Sequence, residues 1–127
     1  MRGLGELRVI GILCLILTAA IVPAGPAAAG YGAVAYDQDA RKLGAAWNED
    51  TQKRANEAAL RECGSDGCSV RFGVPPDMCG AFATPDSGKA WGGSVRKTID
   101  AAKLAAVKNC QKHAKKQCTV RESQCNK

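Results

Sequence analysis

An internal repeat constrains the fold of this chain more than any other feature of its sequence. Two segments occur twice in the same order: Gly-Ala-Val-Ala at 32–35 returns as Gly-Ala-Phe-Ala at 80–83, and Cys-Ser-Val-Arg at 68–71 returns as Cys-Thr-Val-Arg at 118–121. Small residues alone can match by chance, but ordered cysteines within a shared motif are much harder to obtain that way. The repeat predicts two copies of one structural unit, residues 30–77 and 78–127.

Each copy has the pattern of a strand, a second strand, a helix and a third strand. The predicted strands are Tyr31–Tyr36, Lys42–Trp47 and Ser69–Val74 in the first copy, and Cys79–Thr84, Lys89–Val95 and Thr119–Ser123 in the second. Turn-forming residues between the first two strands of each copy predict hairpins. We therefore expect an α+β fold built from two ββαβ pseudo-repeats.

Alanines mark one face of each predicted helix. Ala55, Ala58, Ala59 and Cys63 are spaced i, i+3, i+4 and i+8, and the second copy repeats this stripe with Cys110 at its end. Thr51 or Asp50 can cap the first helix, and Thr98 the second. Because an alanine face lets a helix approach a sheet closely, we expect a small two-layer domain in which one sheet carries both helices.

Six of the seven cysteines fall in the repeated region: Cys63, Cys68, Cys79, Cys110, Cys118 and Cys125. An even number in a small exported domain predicts disulfides, although six cysteines allow 15 pairings. The repeat reduces that choice. If both copies fold alike, Cys63–Cys68 and Cys110–Cys118 are equivalent local bridges, which leaves Cys79 and Cys125 to form a long one.

The first 29 residues have the features of a cleavable signal peptide. Arg2 and Arg8 supply a positive start, residues 9–22 are apolar, and Ala27-Ala28-Ala29 offers small residues for cleavage before Gly30. An uncleaved anchor is the alternative, but 14 apolar residues fall short of the roughly 20 that a spanning helix needs. We expect a secreted or extracytoplasmic protein whose single disulfide-stapled domain, residues 30–127, has no transmembrane segment after cleavage.

The order of these motifs resembles the exported bacterial family catalogued as domain of unknown function 4189. The resemblance extends from Tyr31 to about Cys125 and includes the alanine-rich helices that end in cysteine, Cys79-Gly80-Ala81 and the terminal Cys118-Thr119-Val120. It implies export to the bacterial cell envelope or beyond and a compact α+β domain. It supplies no catalytic residues.

No motif of catalysis or cofactor binding accompanies the repeat. Cys63 and Cys68, or Cys110 with His113, are possible zinc ligands. Because cysteines of exported proteins are more often oxidised to disulfides, no metal is expected. His113, the only histidine, lies among lysines near the end of a helix, where a solvated position is expected. We therefore expect no cofactor and no catalytic residues.

The two copies differ in net charge. Residues 30–85 contain 6 basic and 8 acidic residues, whereas residues 86–127 contain 10 basic and 3 acidic residues. The basic excess is concentrated in five candidate partner-binding residues: Lys103, Lys108, Lys112, Lys115 and Lys116. A solvated surface is the simpler explanation. The alternative is a contact surface for a protein or an anionic envelope component. Since no aromatic residue is interleaved with these lysines, nucleic acid is not expected.

These observations favour an exported, non-enzymatic binding domain. Two other classes are open: a small hydrolase with an unrecognised site, and a passive structural protein of the envelope. Buried polar groups with shifted pKa values in a cleft would favour the hydrolase. An exposed apolar patch beside the basic surface would favour the binding domain.

Overall fold

A computed structural model describes residues 30–127, which contain six strands and two helices. In chain order these are β1 (Tyr31–Asp37), β2 (Lys42–Glu49), α1 (Gln52–Cys63), β3 (Ser69–Val74), β4 (Cys79–Thr84), β5 (Gly92–Arg96), α2 (Ile99–Ala114) and β6 (Thr119–Cys125). The expected α+β fold with two ββαβ units is confirmed. The signal peptide predicted in residues 1–29 lies outside the described residues.

The strands form two antiparallel sheets of three strands each, ordered β2-β1-β3 and β5-β4-β6. The first strand of each unit is therefore the central strand of its own sheet. In both units the hairpin supplies one neighbour, and the strand after the helix returns to the other side of the central strand. Each unit thus completes its main-chain pairing without strands from the other.

Threonine side chains begin both helices. The hydroxyl of Thr51 accepts from the amide of Arg54 at 3.1 Å, and the hydroxyl of Thr98 accepts from the amide of Ala101 at 3.2 Å. Each bond satisfies one of the amide groups that the first helical turn leaves without a partner. Of the two residues considered for the first cap, the structure selects Thr51.

Each helix packs on its own sheet through the predicted alanine face. Ala55, Ala59 and Cys63 of α1 lie against Ala33 and Ala35 of β1. The second unit has the equivalent cluster: Cys79, Ala81, Ala83, Ala102, Ala106 and Cys110. All these residues are buried. Small side chains on both sides of the contact allow the helix axis to lie close to the sheet.

The other faces of the two sheets pack against each other. Val34, Tyr36, Ala45 and Phe82 are buried there, with Leu43, Trp47, Phe72 and Trp91 packed around them. The order of layers is helix, sheet, sheet, helix, so the expectation of one shared sheet in two layers was wrong in this respect. The reason is the twofold alternation along β1 and β4, which gives each sheet a second apolar face that its helix does not cover.

Three disulfides join Cys63 to Cys68, Cys79 to Cys125, and Cys110 to Cys118. These are the pairs that the repeat predicts. The first and third occupy equivalent places: each joins a cysteine in the second half of a helix to the residue just before the strand that follows it. The second joins β4 to β6 at Cys79 and Cys125, which are direct neighbours across the ladder.

The end of the chain is fixed to the first unit by Asn126. Its buried side-chain amide donates to the carbonyl oxygens of Val74 and Pro75 at 2.9 and 3.1 Å, and its carbonyl oxygen accepts from the amide of Asn48 at 3.0 Å. The side chain of Asn48 in turn accepts from the amide of Lys127 at 2.7 Å. A short polar network therefore joins the two units beside the long disulfide.

Candidate binding site

The two helices differ in where they end. α1 stops at the disulfide residue Cys63, followed by Gly64 in the left-handed conformation (φ 75°). α2 continues for four residues beyond its disulfide residue, Cys110, and ends at Ala114. No glycine follows Cys110, so nothing in the sequence stops the helix there. Between its two bridged cysteines the second unit has three residues more than the first, since the sequence separations are 8 and 5, and this insertion lengthens the helix by a turn.

Lys115 ends this additional turn in the left-handed conformation, with φ 53°. Its amide donates to the carbonyl oxygen of Gln111 at 2.8 Å, as the amide of Gly64 donates to Leu60 in the first unit. A lysine thus occupies the position that glycine takes in the other copy. The left-handed conformation is unfavourable for any residue that has a β-carbon.

All five candidate lysines are exposed, but they do not form one surface. At 100° per residue, Lys108 and Lys112 lie 40° apart on one side of α2, whereas Lys103 lies on the opposite side of the helix from Lys112. Lys115 and Lys116 follow at the end of the helix. The structure therefore groups four of the five residues, Lys108, Lys112, Lys115 and Lys116, which we call the basic helix end.

Acidic side chains do not neutralise the basic helix end. The one ion pair within residues 30–127 joins Arg54 to Asp50, at 3.1 Å, and lies in the first unit. On α2 the only carboxylate is Asp100, in the first turn, at the far end of the helix from these lysines. Positive charge at the carboxyl end of a helix is also favoured by the helix dipole.

Next to the basic helix end is an open cleft of about 540 Å³. It is lined by Gln38, Ala90, Trp91, Gly92, Gly93, Asn109 and His113. Asn109 donates to the carbonyl oxygen of Gly93 at 2.9 Å, which fixes α2 to the cleft floor. The amide of Gln38, from the β1–β2 turn, donates to the carbonyl oxygen of Lys89. The cleft therefore lies where the two units meet.

β5 is shorter than predicted, and the residues just before it line part of the cleft. The strand begins at Gly92 rather than Lys89, since the preceding segment is held against the first unit. Besides the bond from Gln38, the buried hydroxyl of Tyr36 donates to the carbonyl oxygen of Gly88 at 2.6 Å. Residues 90 and 91 are thereby drawn out of the strand and into the cleft wall.

His113 was expected to be a solvated residue, and the structure places this exposed residue in the cleft wall. It comes from the additional helical turn, which has no counterpart in the first unit. The signal in the sequence was its spacing: His113 follows Cys110 by three residues and Ala106 by seven, so it continues the inward stripe of α2 just beyond the part that covers the sheet.

Two groups with displaced pKa values lie outside this cleft. Burial raises the pKa of Tyr36 above its ordinary value of 10.0, and the positive charges of Arg121, Arg41 and Arg71 act in the opposite direction. Hydrogen bonds from Ser65 and from the amides of Ala40 and Asp39 lower the pKa of Asp37. The bonds of Asp37 fix the β1–β2 turn and connect it to the turn after α1.

The thiolate ligands of the zinc alternative are absent, because all six cysteines of the described region are oxidised. Residues 30–127 hold no group of three or more side chains placed to bind a metal ion. Three disulfides indicate an oxidising, extracytoplasmic environment. Over the same residues, no helix is long and apolar enough to cross a membrane.

Leu104 is the one large apolar side chain that is well exposed in the described region, at 58%. It lies on α2 one turn before Lys108, so it borders the basic helix end. A single exposed leucine is common on soluble domains and does not make an apolar patch.

Comparison with known proteins agrees with this fold. A solved structure, the NMR structure of Rv1813c from Mycobacterium tuberculosis, is 30% identical in sequence with a TM-score of 0.58, and the match covers 83% of this chain and 81% of that one. A search of curated proteins finds no match. The family model for the domain of unknown function DUF4189 matches residues 31–125. The chain therefore belongs to the DUF4189 family.

Proposed function

We propose that this protein is an exported, non-enzymatic binding domain whose contact surface is the basic helix end. Its partner is an acidic component of the cell envelope, either an anionic polymer or lipid or an acidic protein surface. Export rests on the signal peptide of residues 1–29, which accords with the oxidised cysteines. The observation that carries the proposal is the additional turn of α2, which is specific to the second unit and presents its lysines to solvent.

The comparison between the two units supports a role beyond folding. Both units have the same strand order, the same helix contact and an equivalent disulfide. The two units therefore have similar folding requirements, yet they differ in charge. Residues 86–127 have seven more basic than acidic residues, whereas residues 30–85 have two fewer basic than acidic residues. Three of the ten basic residues of 86–127, Lys112, Lys115 and Lys116, lie on or directly after the additional turn, which contributes no residue to the buried core.

The conformation of Lys115 supports the same conclusion. Where the first unit has Gly64, the second keeps a lysine in a backbone conformation that is unfavourable for it. Strained residues of this kind are frequent at binding sites. The proposal accounts for this lysine by a contact between its side chain and the partner.

Charge reversal at the basic helix end tests the proposal. The protein, purified after export, carries the substitutions Lys112→Glu, Lys115→Glu and Lys116→Glu together, and is sedimented with isolated envelope fragments. We expect the parent to co-sediment at low salt and to be released as ionic strength rises, because charges are screened beyond about 8 Å at physiological salt. The triple variant should stay in the supernatant while its near-ultraviolet circular dichroism is unchanged.

A matched control separates a local surface from net charge. Lys42, Lys53 and Arg61 are exposed residues of the first unit, so their replacement by glutamate changes the net charge equally at another place. We expect this control to sediment nearly as well as the parent. If both triple variants lose binding alike, or if neither does, the basic helix end is not the contact surface.

The expected cleavage before Gly30 is tested separately. The mass of the protein after export shows whether residues 1–29 have been removed.

A further inference from the structure

The same irregularity occurs in the last strand of both units. Pairing of β1 with β3 shifts between Val34 and Ala35, which leaves Arg71 as an extra residue between Val70 and Phe72. Pairing of β4 with β6 shifts between Phe82 and Ala83, which leaves Arg121 as the extra residue. Each β-bulge coincides with the arginine of the repeated Cys-(Ser/Thr)-Val-Arg segment. Bulges commonly redirect a side chain near a functional site.

The bulges direct both arginines to the face between the two sheets. Phe72, the neighbour of Arg71, already faces that side, and the guanidinium carbon of Arg71 lies 5.5 Å from the ring centroid of Trp91. A guanidinium nitrogen of Arg121 lies 3.4 Å from the hydroxyl oxygen of Thr84, which is buried. Equivalent arginines of the two units therefore converge on the boundary between the sheets.

A third arginine reaches the same region from the β1–β2 turn. The methylene groups of Arg41 and the hydroxyl of Tyr36 both lie beside Gly88, where a β-carbon would meet them at 2.9 and 3.0 Å. Arg121, Arg41 and Arg71 all act electrostatically on the Tyr36 phenol. Positive charges from three separate segments thus lie near one buried hydroxyl group, together with the carboxylate of Asp37.

These arginines form no ion pair within residues 30–127. Asp37 is the carboxylate that acts on Arg71, but it already accepts hydrogen bonds from Ser65 and two backbone amides. Glu122, next to Arg121 in the chain, accepts from the indole nitrogen of Trp47 at 3.1 Å. Neither acid forms an ion pair with an arginine, since the one pair in this region joins Arg54 and Asp50.

The guanidinium group of Arg71 has one donor that the protein leaves unpaired, its Nε atom. It is buried and is the one buried side-chain nitrogen or oxygen of the described region without a hydrogen-bond partner. A buried donor without a partner in the protein is unfavourable, and a charged one especially so. The guanidinium of Arg71 lies over the ring of Trp91, which stacks on Phe82 with ring centroids 5.7 Å apart, and this contact leaves the Nε donor without a partner.

We propose that Arg71, Arg121 and Arg41 form a binding site for a phosphoryl group at the boundary between the two sheets, with residues other than those of the basic helix end. The planar guanidinium group matches phosphate and carboxylate oxygens in a bidentate manner. A carboxylate is satisfied by one such group, whereas the several oxygens of a phosphoryl group can use donors from three segments. The additional charge of a phosphoryl group also suits three cations better.

The test observes the arginine side chains directly. The ¹⁵N-labelled protein, purified after export, is titrated with inorganic phosphate and, separately, with sodium acetate at the same ionic strength. We expect phosphate to move the Nε–H resonance of Arg71 and the resonances of Arg121, with saturation. Acetate should move them at least about tenfold less effectively, because it satisfies fewer donors. No saturable change with phosphate, or equal changes with both anions, would overturn the proposal.

Substitutions that keep the charge test the need for the guanidinium groups. Arg71→Lys and Arg121→Lys should each weaken phosphate binding by about tenfold, since lysine cannot replace the planar group. Arg96→Lys is the control, because Arg96 is exposed and bonds only its neighbouring carbonyl oxygen, of Val95. If Arg71→Lys fails to fold, Arg121→Lys alone decides. Unchanged affinity in the lysine variants, or an equal loss in Arg96→Lys, would refute the site.

Discussion

Gly44 lies so close to Ala59 that a β-carbon on the glycine would be 2.1 Å from the carbonyl oxygen of the alanine. The second unit has the same relationship: a β-carbon on Gly92 would be 2.1 Å from the amide nitrogen of Cys110. In both units the helix backbone therefore rests directly on the second strand of the sheet. The alanine faces alone do not account for this closeness, because it also requires a glycine beneath each helix.

We predict that Gly44→Ala and Gly92→Ala each destabilise the protein, since the helix must move away to admit a methyl group. Overpacking of this kind costs roughly 1–3 kcal/mol. Urea denaturation monitored by circular dichroism measures it. Ala101→Ser, on the exposed face of α2, should change stability by less than about 0.5 kcal/mol. Glycine variants as stable as this control would show that the helices do not lie so close.

The disulfides should differ in their contributions to stability. Cys79–Cys125 spans 46 residues, whereas Cys63–Cys68 and Cys110–Cys118 span 5 and 8. In the loop-entropy account, the long bridge contributes about 4 kcal/mol and each short bridge about 2–3 kcal/mol. We expect Cys79→Ala with Cys125→Ala to lower the free energy of unfolding most. Urea denaturation of the three double variants compares them, and a larger loss from either short bridge would contradict this order.

The features that could be predicted from sequence are those set within one unit. The cysteine pairs, the threonine caps and the alanine faces depend on local spacing, and the second copy gave an independent check on each. Thr51 and Thr98 illustrate this: each begins a helix at the expected residue and caps it in the same way.

The features that could not be predicted depend on how the units meet. Val34 and Phe82 alternate with alanines, which shows that β1 and β4 have a second apolar face but not what covers it. That partner is another sheet, distant in sequence. The cleft likewise required Gln38 of one unit to hold the backbone at Lys89 of the other. The position of His113 in the cleft wall depends on the residues after Cys110 being helical, which the sequence did not show.

Asn126 should contribute more to stability than an ordinary residue near the end of a chain. Its side chain bonds the carbonyl oxygen of Val74 and the amide of Asn48, and Asn126→Ala would remove both partners. We expect a loss of about 1–3 kcal/mol, because buried polar groups would be left unpaired. Gln124→Ala removes a similar but exposed side chain and should have little effect. Equal urea midpoints for the two variants would contradict this role.

Asp37 should make stability depend on pH in the acid range. Hydrogen bonds from Ser65 and from the amides of Ala40 and Asp39 lower its pKa below 3.8, so the folded protein binds a proton at this carboxylate less readily than the unfolded chain. Its contribution is therefore present above pH 3.8 and is lost as pH falls through the lower, folded value.

The variant Asp37→Asn should be less stable than the parent near neutral pH, and the difference should narrow below about pH 4. The exposed Asp39→Asn is the control and should keep the pH dependence of the parent. Thermal denaturation at a series of pH values measures this. A difference between Asp37→Asn and the parent that stays constant down to strongly acid pH would rule out the ionised carboxylate as the cause.

Lys115 allows stability and binding to be separated at one residue. Lys115→Gly removes a β-carbon from a left-handed conformation (φ 53°), so we expect it to stabilise the protein by about 0.5–1 kcal/mol after the greater chain entropy of glycine is counted. The opposite change in the first unit, Gly64→Lys, should destabilise by a similar amount, since Gly64 has φ 75°. Urea denaturation measures both. If the basic helix end is the contact surface, Lys115→Gly should also sediment less with envelope fragments, whereas Gly64→Lys should not. A variant that gains stability and loses binding would show that the second unit keeps its lysine for contact with a partner. A variant that gains stability at no cost in binding would assign the contact to the other lysines.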